Sequence, residues 1–270
     1  MTRVLSGVVL LVMAVAAVWL SPGWLFFLIA EGLLLLAFTE YASLSAAVGL
    51  PLPRVVAGAA AMLACAGMAS TERVGNTLVG TATGLDAILM SAFLVIASVT
   101  LTTWRGGKDA LASAAAGIFP VLYLGLPIGA MHAIRETRGP EGLFLLMMTV
   151  FVSDTAQFYS GRTFGRRLLA PAISPKKTVE GAVGGFVAGA LVLAVVGEWW
   201  LPAIPMALRA LLGVALVALG IAGDLFESML KRSAGVKDSS ALIPGHGGVL
   251  DRIDALLFAA PVYYVVMKYV

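Results

Sequence analysis

Long apolar runs separated by short polar connections occupy most of the chain. Crossing the hydrocarbon core of a membrane takes about 20 mostly apolar residues, and only helices or closed barrels satisfy the backbone hydrogen bonds there. The runs lack the strict alternation of barrel strands, so they predict helices. We predict nine membrane-spanning helices, at residues 4–20, 24–39, 54–69, 84–103, 110–131, 142–159, 180–197, 206–226 and 252–269. The predicted fold class is therefore all-α, a polytopic membrane protein.

Composition supports this class and excludes others. Of the 270 residues, 60% are hydrophobic and 12% are charged, whereas about a quarter of the residues in soluble domains are charged. The mean hydropathy is +0.97. The single cysteine, Cys65, excludes a disulfide framework and a cysteine-based zinc site. The net charge of +3 comes from short basic clusters rather than one stripe, which argues against nucleic-acid binding.

The distribution of positive charge predicts the orientation, because cytoplasmic loops of membrane proteins are enriched in Lys and Arg. Nine spans with a cytoplasmic N-terminus place 13 of the 18 basic residues on the cytoplasmic side and 5 on the other. That orientation puts both long polar loops, residues 160–179 and 227–251, in the cytoplasm. Residues 5–20 begin like a signal peptide, but no small-x-small cleavage site follows them, so we predict an uncleaved first helix.

Four carboxylates flank the later loop. Asp224 and Glu227 are three residues apart near the predicted end of the eighth helix, and Asp251 and Asp254 are three apart at the start of the ninth. Each pair shares a helix face, so the two pairs can converge on one divalent cation, and Mg²⁺ prefers carboxylate oxygens with waters and phosphates. The negative end of the eighth helix would also favour a cation at Asp224. The alternative is that Asp251 only caps the ninth helix and Asp224 pairs with Lys231.

The same loop carries glycines and basic residues suited to anions. The run Pro244-Gly-His246-Gly247-Gly248 lies just before a predicted helix start, where free backbone N–H groups attract an anion. Four basic residues add positive charge for phosphate oxygens: Lys231, Arg232, Lys237 and Arg252. A flexible turn with cytoplasmic basic residues is the alternative, although it leaves the adjacent acids unexplained.

The earlier loop has similar chemistry. Ser174 as N-cap with Pro175 at the first helical position predicts a helix start there, with Lys177 and Thr178 in the first turn, suited to phosphate. Asp154 lies in the apolar run before this loop. The alternatives are a simple capped helix with anchoring basic residues, and a buried ion pair between Asp154 and Arg162.

The residues alone therefore predict a membrane-level cytoplasmic site for a divalent cation and several phosphates, and so phosphoryl or nucleotidyl transfer to a lipid. No standard nucleotide-binding motif is present. A secondary transporter is one alternative, but its inverted repeats would place charges in both halves of the chain, whereas the polar clusters crowd the C-terminal half. Another lipid-phosphate enzyme is a second alternative, such as a polyprenol kinase or a CDP-alcohol phosphotransferase. The D-G-x-x-A-R signature of the latter is absent.

At these residues the sequence resembles a known family. The run Ser228-Met-Leu-Lys231-Arg232, with Lys237-Asp238, Pro244-Gly-His246-Gly-Gly248 and Asp251-Arg252-Ile-Asp254, is similar to the signature of phosphatidate cytidylyltransferases, also called CDP-diacylglycerol synthases. The segment 154–181, with Ser174-Pro175-x-Lys177-Thr178, is similar to a second block of that family. The first 140 residues match only in being apolar and in opening with a short Arg-containing stretch.

The resemblance implies transfer of CMP from CTP to phosphatidate, giving CDP-diacylglycerol and pyrophosphate, by a homodimer in the bacterial inner membrane. It implies Mg²⁺, with a monovalent cation such as K⁺ beside it, held by Asp224, Asp251 and Asp254. Asp224, Lys231 and Asp251 would be catalytic. The expected substrate-binding residues are Asp154, Ser174, Lys177, Thr178, Arg232, Lys237, Asp238, His246, Gly247, Gly248 and Arg252. We expect His246 to donate to a phosphate oxygen rather than to act as a base.

Two regions follow from this interpretation. Residues 1–140 would contain about five spans, and residues 141–270 would form the catalytic membrane region with both cytoplasmic loops. Two acids lie in the earlier region: we expect Glu40 at the membrane interface beside Tyr41, and Glu31 facing a cavity or paired within the bundle. Neither is assigned a catalytic role.

Overall fold

A computed structural model describes residues 2–70, 84–243, 245 and 247–269. Its helices are α1 (Thr2–Leu20), α2 (Gly23–Ala47), α3 (Arg54–Ser70), α4 (Leu85–Thr103), α5 (Ala110–Pro120), α6 (Leu126–Phe164), α7 (Val179–Leu191), α8 (Gly197–Trp200), α9 (Met206–Ser233) and α10 (Leu250–Tyr269). Short π-helical segments, Val121–Gly125 and Val192–Val196, join α5 to α6 and α7 to α8. Helices thus dominate the described residues, which agrees with the predicted all-α membrane class.

Several helices have the length and composition to cross a membrane. Five described stretches meet both criteria: Gly23–Ala47, Leu85–Thr103, Ala110–Phe164, Val179–Trp200 and Met206–Ser233. Many large apolar side chains on the outside of the bundle are exposed, among them Val55 at 85% and Leu111 at 83%, as expected where lipid replaces water. Helix occupies each predicted span, but the count of nine crossings and the orientation stay predictions.

Helix α6 lies at the centre of the bundle. It packs against α3, α7 and α10, while α9 packs against α7 and α10. Gly139, with φ 71° and ψ 174°, breaks the helical backbone and divides α6 into two arms. This conformation suits glycine, which lacks a Cβ, and Pro140 then begins the second arm, where its missing N–H costs little. The break falls between the predicted spans 110–131 and 142–159.

Helices α7 and α9 approach each other closely through glycine. A Cβ added to Gly213 would lie 2.4 Å from the carbonyl oxygen of Gly189. Small residues of this kind let the backbones of membrane helices come into contact. This contact supports the part of α9 that leads to the acidic residues.

Aromatic side chains from five elements pack against one another. Tyr41 of α2 stacks on Phe119 of α5 with ring centroids 5.5 Å apart, and Phe119 lies 5.0 Å from the ring of Tyr123. Phe226 of α9 lies 5.5 Å from both Tyr123 and Phe258 of α10. Such pairs add to the stability gained from burial alone, so this cluster links the N-terminal helices to α9 and α10.

The predicted helix start at Ser174 is wrong. Ser174–Thr178 forms strand β2, which pairs antiparallel with β1 (Leu168–Ala170). Helix α7 begins at Val179, and the N-cap is Thr178, whose Oγ1 accepts a hydrogen bond of 3.1 Å from Gly181 N–H. Ser174 and Thr178 are both good N-cap residues. The pairing with β1, which a local signature does not reveal, decides between them.

The predicted end of the eighth helix is also wrong. Helix α9 continues through residue 226 to Ser233. Glu227 and Lys231 are therefore helical residues that form an i,i+4 ion pair. Lys231 and Arg232 lie in the last turn, where a positive side chain interacts favourably with the negative end of the helix dipole. Asp224 lies about two and a half turns before that end. The helix terminus therefore does not supply the field that we expected at Asp224.

We expect Gly213→Ala to destabilise the protein by about 1–3 kcal/mol, the usual cost of overpacking, because its Cβ would force α7 and α9 apart. The measurement is thermal unfolding of the detergent-solubilised protein. Gly32→Ala is the matched control, since nothing lies within 4 Å of a Cβ added to that glycine. Equal melting temperatures for the two variants would contradict the proposed close contact.

Candidate active site

The β-hairpin places Lys177 next to α9. Lys177 lies in β2, and its Nζ is 2.5 Å from Oδ2 of Asp224. The two side chains are 19% and 35% exposed, so the pair lies at the rim of the bundle. Glu180 of α7 fixes the chain before the hairpin, because its Oε2 accepts hydrogen bonds from the N–H groups of Arg166 and Arg167.

A close crossing of α9 and α10 brings acidic residues together. A Cβ added to Gly223 would lie 2.4 Å from the carbonyl oxygen of Asp254, so only glycine permits this crossing. Asp224 follows Gly223 directly and lies within electrostatic range of Asp254, as does Asp154 of α6. Asp154 accepts a 3.0 Å hydrogen bond from Gln157 Nε2. Three carboxylates from three helices therefore lie within electrostatic range of one another, and two of them, Asp224 and Asp154, are also near Lys177.

Lys231 joins two further carboxylates. Its Nζ forms ion pairs with Glu227 one turn earlier on α9 and with Oδ1 of Asp251 at the start of α10. The side chains of Glu227, Asp251 and Lys231 are 0%, 6% and 9% exposed. Buried charges persist only where they are paired, so Lys231 is the counterion that permits both acids at this depth.

The second oxygen of Asp251 is held by the loop before α10. Oδ2 accepts hydrogen bonds from Ser239 N–H at 2.9 Å, Ser239 Oγ at 2.7 Å and Gly248 N–H at 2.8 Å. The loop closes on itself where Ile243 N–H donates to the Gly247 carbonyl at 2.8 Å. The predicted glycine-rich element therefore packs around Asp251. Pro244 and His246 lie outside the described residues, so the role expected of His246 stays a prediction.

Glu40 of α2 lies next to this loop, which sequence reasoning missed. Its carboxylate accepts hydrogen bonds from the hydroxyls of Ser239 and Ser240 and from the N–H groups of Val249 and Leu250. The side chain is buried at 4% exposure, rather than placed at a wet interface as we expected. A carboxylate in an apolar run indicates a functional residue, and Glu40 could have been singled out on that ground. The sequence gives no indication, however, of which residues contact it.

The structure assigns different partners from those in the alternatives to the predicted site. Asp224 pairs with Lys177 rather than Lys231. Asp154 bonds to Gln157, while Arg162 is exposed. Asp251 lies in the first turn of α10, and its described partners are Lys231, Ser239 and Gly248, whereas the N–H of Leu250 donates to Glu40.

Ten of the eleven predicted substrate-binding residues are described by the structure, and they lie in three kinds of position. Those at the acidic cluster or in contact with it are Asp154, Lys177, Gly247 and Gly248. Thr178 caps α7, and Ser174 lies at the far end of β2, opposite Ala170. The guanidinium of Arg232 donates to the Val236 carbonyl at 3.1 Å. The exposed members, open to a ligand, are Arg232, Lys237, Asp238 and Arg252.

The site carries more negative than positive charge. Lys177 and Lys231 pair with three carboxylates, whereas Asp154 and Asp254 form no ion pair among the described residues. Within that part of the chain, no group of three or more His, Cys, Asp and Glu side chains is arranged to hold a metal ion. Mg²⁺ commonly uses only one or two carboxylates and completes its shell with water and substrate phosphates. The donors present therefore fit a magnesium ion bound together with a phosphate substrate.

Comparison with known proteins agrees with this chemistry. The model of the cytidylyltransferase family matches residues 1–270. A phosphatidate cytidylyltransferase of Haemophilus influenzae is 49% identical over 131 residues, which cover 46% of this chain and 45% of that protein. The enzyme of the same name from Synechocystis is 46% identical over 133 residues, 47% of this chain and 45% of the relative.

Longer matches extend further towards the N-terminus at lower identity. A phosphatidate cytidylyltransferase of Brucella suis is 38% identical over 189 residues, which cover 66% of this chain and 65% of that protein. The chain thus spans somewhat less than half of the length of the first two relatives and just under two thirds of the third.

The ion pairs of the two lysines generate a stability prediction. We expect Lys231→Met to destabilise the protein by about 3–5 kcal/mol, because it leaves two buried carboxylates without a counterion. Lys177→Met should cost about 1 kcal/mol or less, since Asp224 keeps contact with solvent. Thermal unfolding in detergent measures both, and adding Glu227→Gln should partly restore Lys231→Met. Equal losses in the two lysine variants would contradict this assignment of the buried charge.

Proposed function

The chain belongs to the cytidylyltransferase family, and from this we propose that it transfers CMP from CTP to phosphatidate, giving CDP-diacylglycerol and pyrophosphate. The observation that carries the proposal is the cluster of five carboxylates around two ammonium groups at the crossing of α9 and α10. Such a cluster suits a divalent cation and phosphates. The names of the similar proteins from Haemophilus influenzae and Synechocystis support the choice of CTP and phosphatidate.

In the proposed reaction, an oxygen of the phosphatidate phosphate attacks the α-phosphorus of CTP. The bond from that phosphorus to the bridging oxygen breaks, and pyrophosphate leaves. A phosphate monoester is mostly ionised at pH 7, since its second pKa is about 6, so the attack needs no strong general base. The demand on the protein is positioning and charge stabilisation, as in phosphoryl transfer generally.

Basic side chains would offset the repulsion between the two anions. Two of the three N–H donors of Lys231 face Glu227 and Asp251, and the third would donate to a phosphate oxygen. Arg232 donates one hydrogen bond to the Val236 carbonyl, and its other N–H groups would be available to phosphate oxygens. Lys237, five residues after Arg232, is exposed. Asp224 would hold the cation, and the ammonium of Lys177 would donate to an oxygen of the triphosphate.

Asp224, Asp251 and Asp254 would together hold the magnesium ion and, beside it, a monovalent cation such as K⁺, so that each ion would use one or two of these carboxylates together with water and substrate phosphates. When bound, the metal supplies positive charge that the two lysines cannot provide alone. Asp254 is suited to this role because it has no ion pair among the described residues and faces Asp224 across the Gly223 crossing.

The proposal extends to the setting of the enzyme. The protein would cross the bacterial inner membrane nine times, with its N-terminus and active site on the cytoplasmic side, and would act as a homodimer. The excess of basic residues in the loops assigned to that side supports the orientation. Both substrates suit it, because CTP is soluble and phosphatidate lies in the bilayer.

The detergent-solubilised protein, given CTP, phosphatidate and Mg²⁺, should release pyrophosphate and form CDP-diacylglycerol. Asp224→Asn and Asp251→Asn should each lower kcat by about 10²–10⁴-fold, the scale of lost transition-state electrostatics, with the fold retained. Asp86→Asn, a change at an exposed carboxylate of α4, is the control and should retain activity. No pyrophosphate release by the wild type under any cation condition would defeat the proposed function.

Lys177→Met should weaken CTP binding, because the ammonium near the C-terminal end of β2 would be lost. We expect the KM for CTP to rise about tenfold, which corresponds to the loss of one charge-assisted hydrogen bond, while the KM for phosphatidate changes little. Steady-state kinetics with each substrate varied in turn measures this. An unchanged KM for CTP would remove Lys177 from the nucleotide site.

A further inference from the structure

Glu40 is a buried carboxylate with four hydrogen-bond donors and no place in the mechanism above. Ser239 Oγ and Ser240 Oγ donate at 2.8 and 2.7 Å, and the N–H groups of Val249 and Leu250 donate at 2.9 and 2.8 Å. We propose that Glu40 is a positioning residue for the proposed reaction: through Ser239 it fixes the orientation of Asp251. This inference rests on the proposed function and adds a residue to it.

The environment of Glu40 explains how a charge is tolerated there. Two of its donors are backbone N–H groups at the start of α10, where helix N–H groups have no intrahelical partner and the dipole favours an anion. The other two are hydroxyls of the loop before α10. A buried carboxylate with this many donors is satisfied without a basic partner. Glu40 therefore joins α2 to the loop and to the first turn of α10.

Ser239 links Glu40 to the proposed metal ligand. Its hydroxyl oxygen lies 2.8 Å from Glu40 Oε2 and 2.7 Å from Asp251 Oδ2, so one hydroxyl proton is shared between two carboxylates. The N–H of Ser239 also donates to the same Asp251 oxygen at 2.9 Å. A shift of Ser239 would remove two of the three hydrogen bonds that hold Oδ2 of Asp251.

The packing leaves little freedom for such a shift. A Cβ added to Gly248 would lie 2.1 Å from Ser239 Oγ and 2.4 Å from Glu40 Oε2. Gly248 in turn donates its N–H to Asp251. Glu40, Ser239 and Gly248 therefore form a compact support that leaves Oδ1 of Asp251 facing Lys231. Groups that orient a metal-binding carboxylate in this way usually change metal affinity or activity by about 10–100-fold when removed.

Two variants remove the support and two serve as controls. Glu40→Gln keeps the volume but faces two of the donors with an amide NH₂ group, which cannot accept a hydrogen bond. Ser239→Ala removes the bridging hydroxyl and leaves Glu40 with three donors. Ser240→Ala removes one donor from Glu40 without touching Asp251. Glu31→Gln changes a buried carboxylate on the same helix, about 14 Å from Glu40 along its axis.

The primary measurement is Mn²⁺ binding to the detergent-solubilised protein, followed by electron paramagnetic resonance of the free ion. We expect Glu40→Gln and Ser239→Ala to raise the Kd for Mn²⁺ about 10–100-fold and to raise the Mg²⁺ concentration needed for half-maximal activity in parallel. Ser240→Ala and Glu31→Gln should stay within about threefold of the wild type. Melting temperature and gel filtration identify the folded fraction of each variant, since a purely structural role would lower stability and leave Mn²⁺ affinity unchanged.

The outcomes separate this inference from the proposed function. Wild-type protein that forms no CDP-diacylglycerol defeats the function. Active wild-type protein together with unchanged Mn²⁺ affinity in folded Ser239→Ala overturns the positioning role alone, even where Glu40→Gln does not fold. A loss of affinity in Ser240→Ala as large as in Ser239→Ala would also overturn it, because the effect would then not pass through Asp251. Absence of Mn²⁺ binding by the wild type would overturn it as well.

Discussion

A carboxylate removed from water among apolar helices is stable only where positive charge or several hydrogen-bond donors face it. The region between α9 and α10 is arranged around this constraint. Glu227, with no exposed side-chain surface, is held by Lys231, which also reaches Asp251. Glu40 is held by two hydroxyls and two backbone N–H groups. The loop before α10 carries these donors, so the hydrogen bonds to the acids fix its conformation. In turn, the acids can stay charged only while the loop keeps that conformation.

The backbone provides the second requirement, that acids from separate helices come within reach of one another. Gly223 permits α10 to lie against α9 at the level of Asp224 and Asp254, and Gly213 permits α7 to lie against the preceding part of α9. The β-hairpin then leads the chain from α6 back to α7 and carries Lys177 to Asp224. Gly213 and Gly223 thus set how closely the helices approach each other, and the charged residues next to Gly223 form the candidate active site.

The sequence was sufficient for features that depend on local pattern. Apolar run length predicted the helices. The acidic pairs Asp224/Glu227 and Asp251/Asp254 predicted that carboxylates of two neighbouring helices converge, and the structure places Asp254 within electrostatic range of Asp224, while Glu227 and Asp251 share Lys231. Their joint binding of a metal ion stays a prediction. Where two local signals competed, the prediction at Ser174 was wrong, because pairing with β1 favoured Thr178 as the cap. The extension of α9 to Ser233 depends partly on the ion pair between Glu227 and Lys231, which hydropathy does not register. Glu40 could not be placed, because its partners lie about 200 positions away in the chain.

The contacts of Glu40 also bear on the predicted division of the chain near residue 140. One buried apolar cluster contains Leu34 of α2, Ala61 of α3 and Leu250 of α10, so the two regions share a core. The aromatic cluster likewise has members from both regions, with Tyr41 and Phe119 from the first region and Phe226 and Phe258 from the second. Because Asp251 is oriented by a serine that Glu40 holds, the N-terminal helices act on the site through hydrogen bonds as well as through packing. The two regions therefore differ in which residues they contribute to the chemistry, and both are needed to build the site.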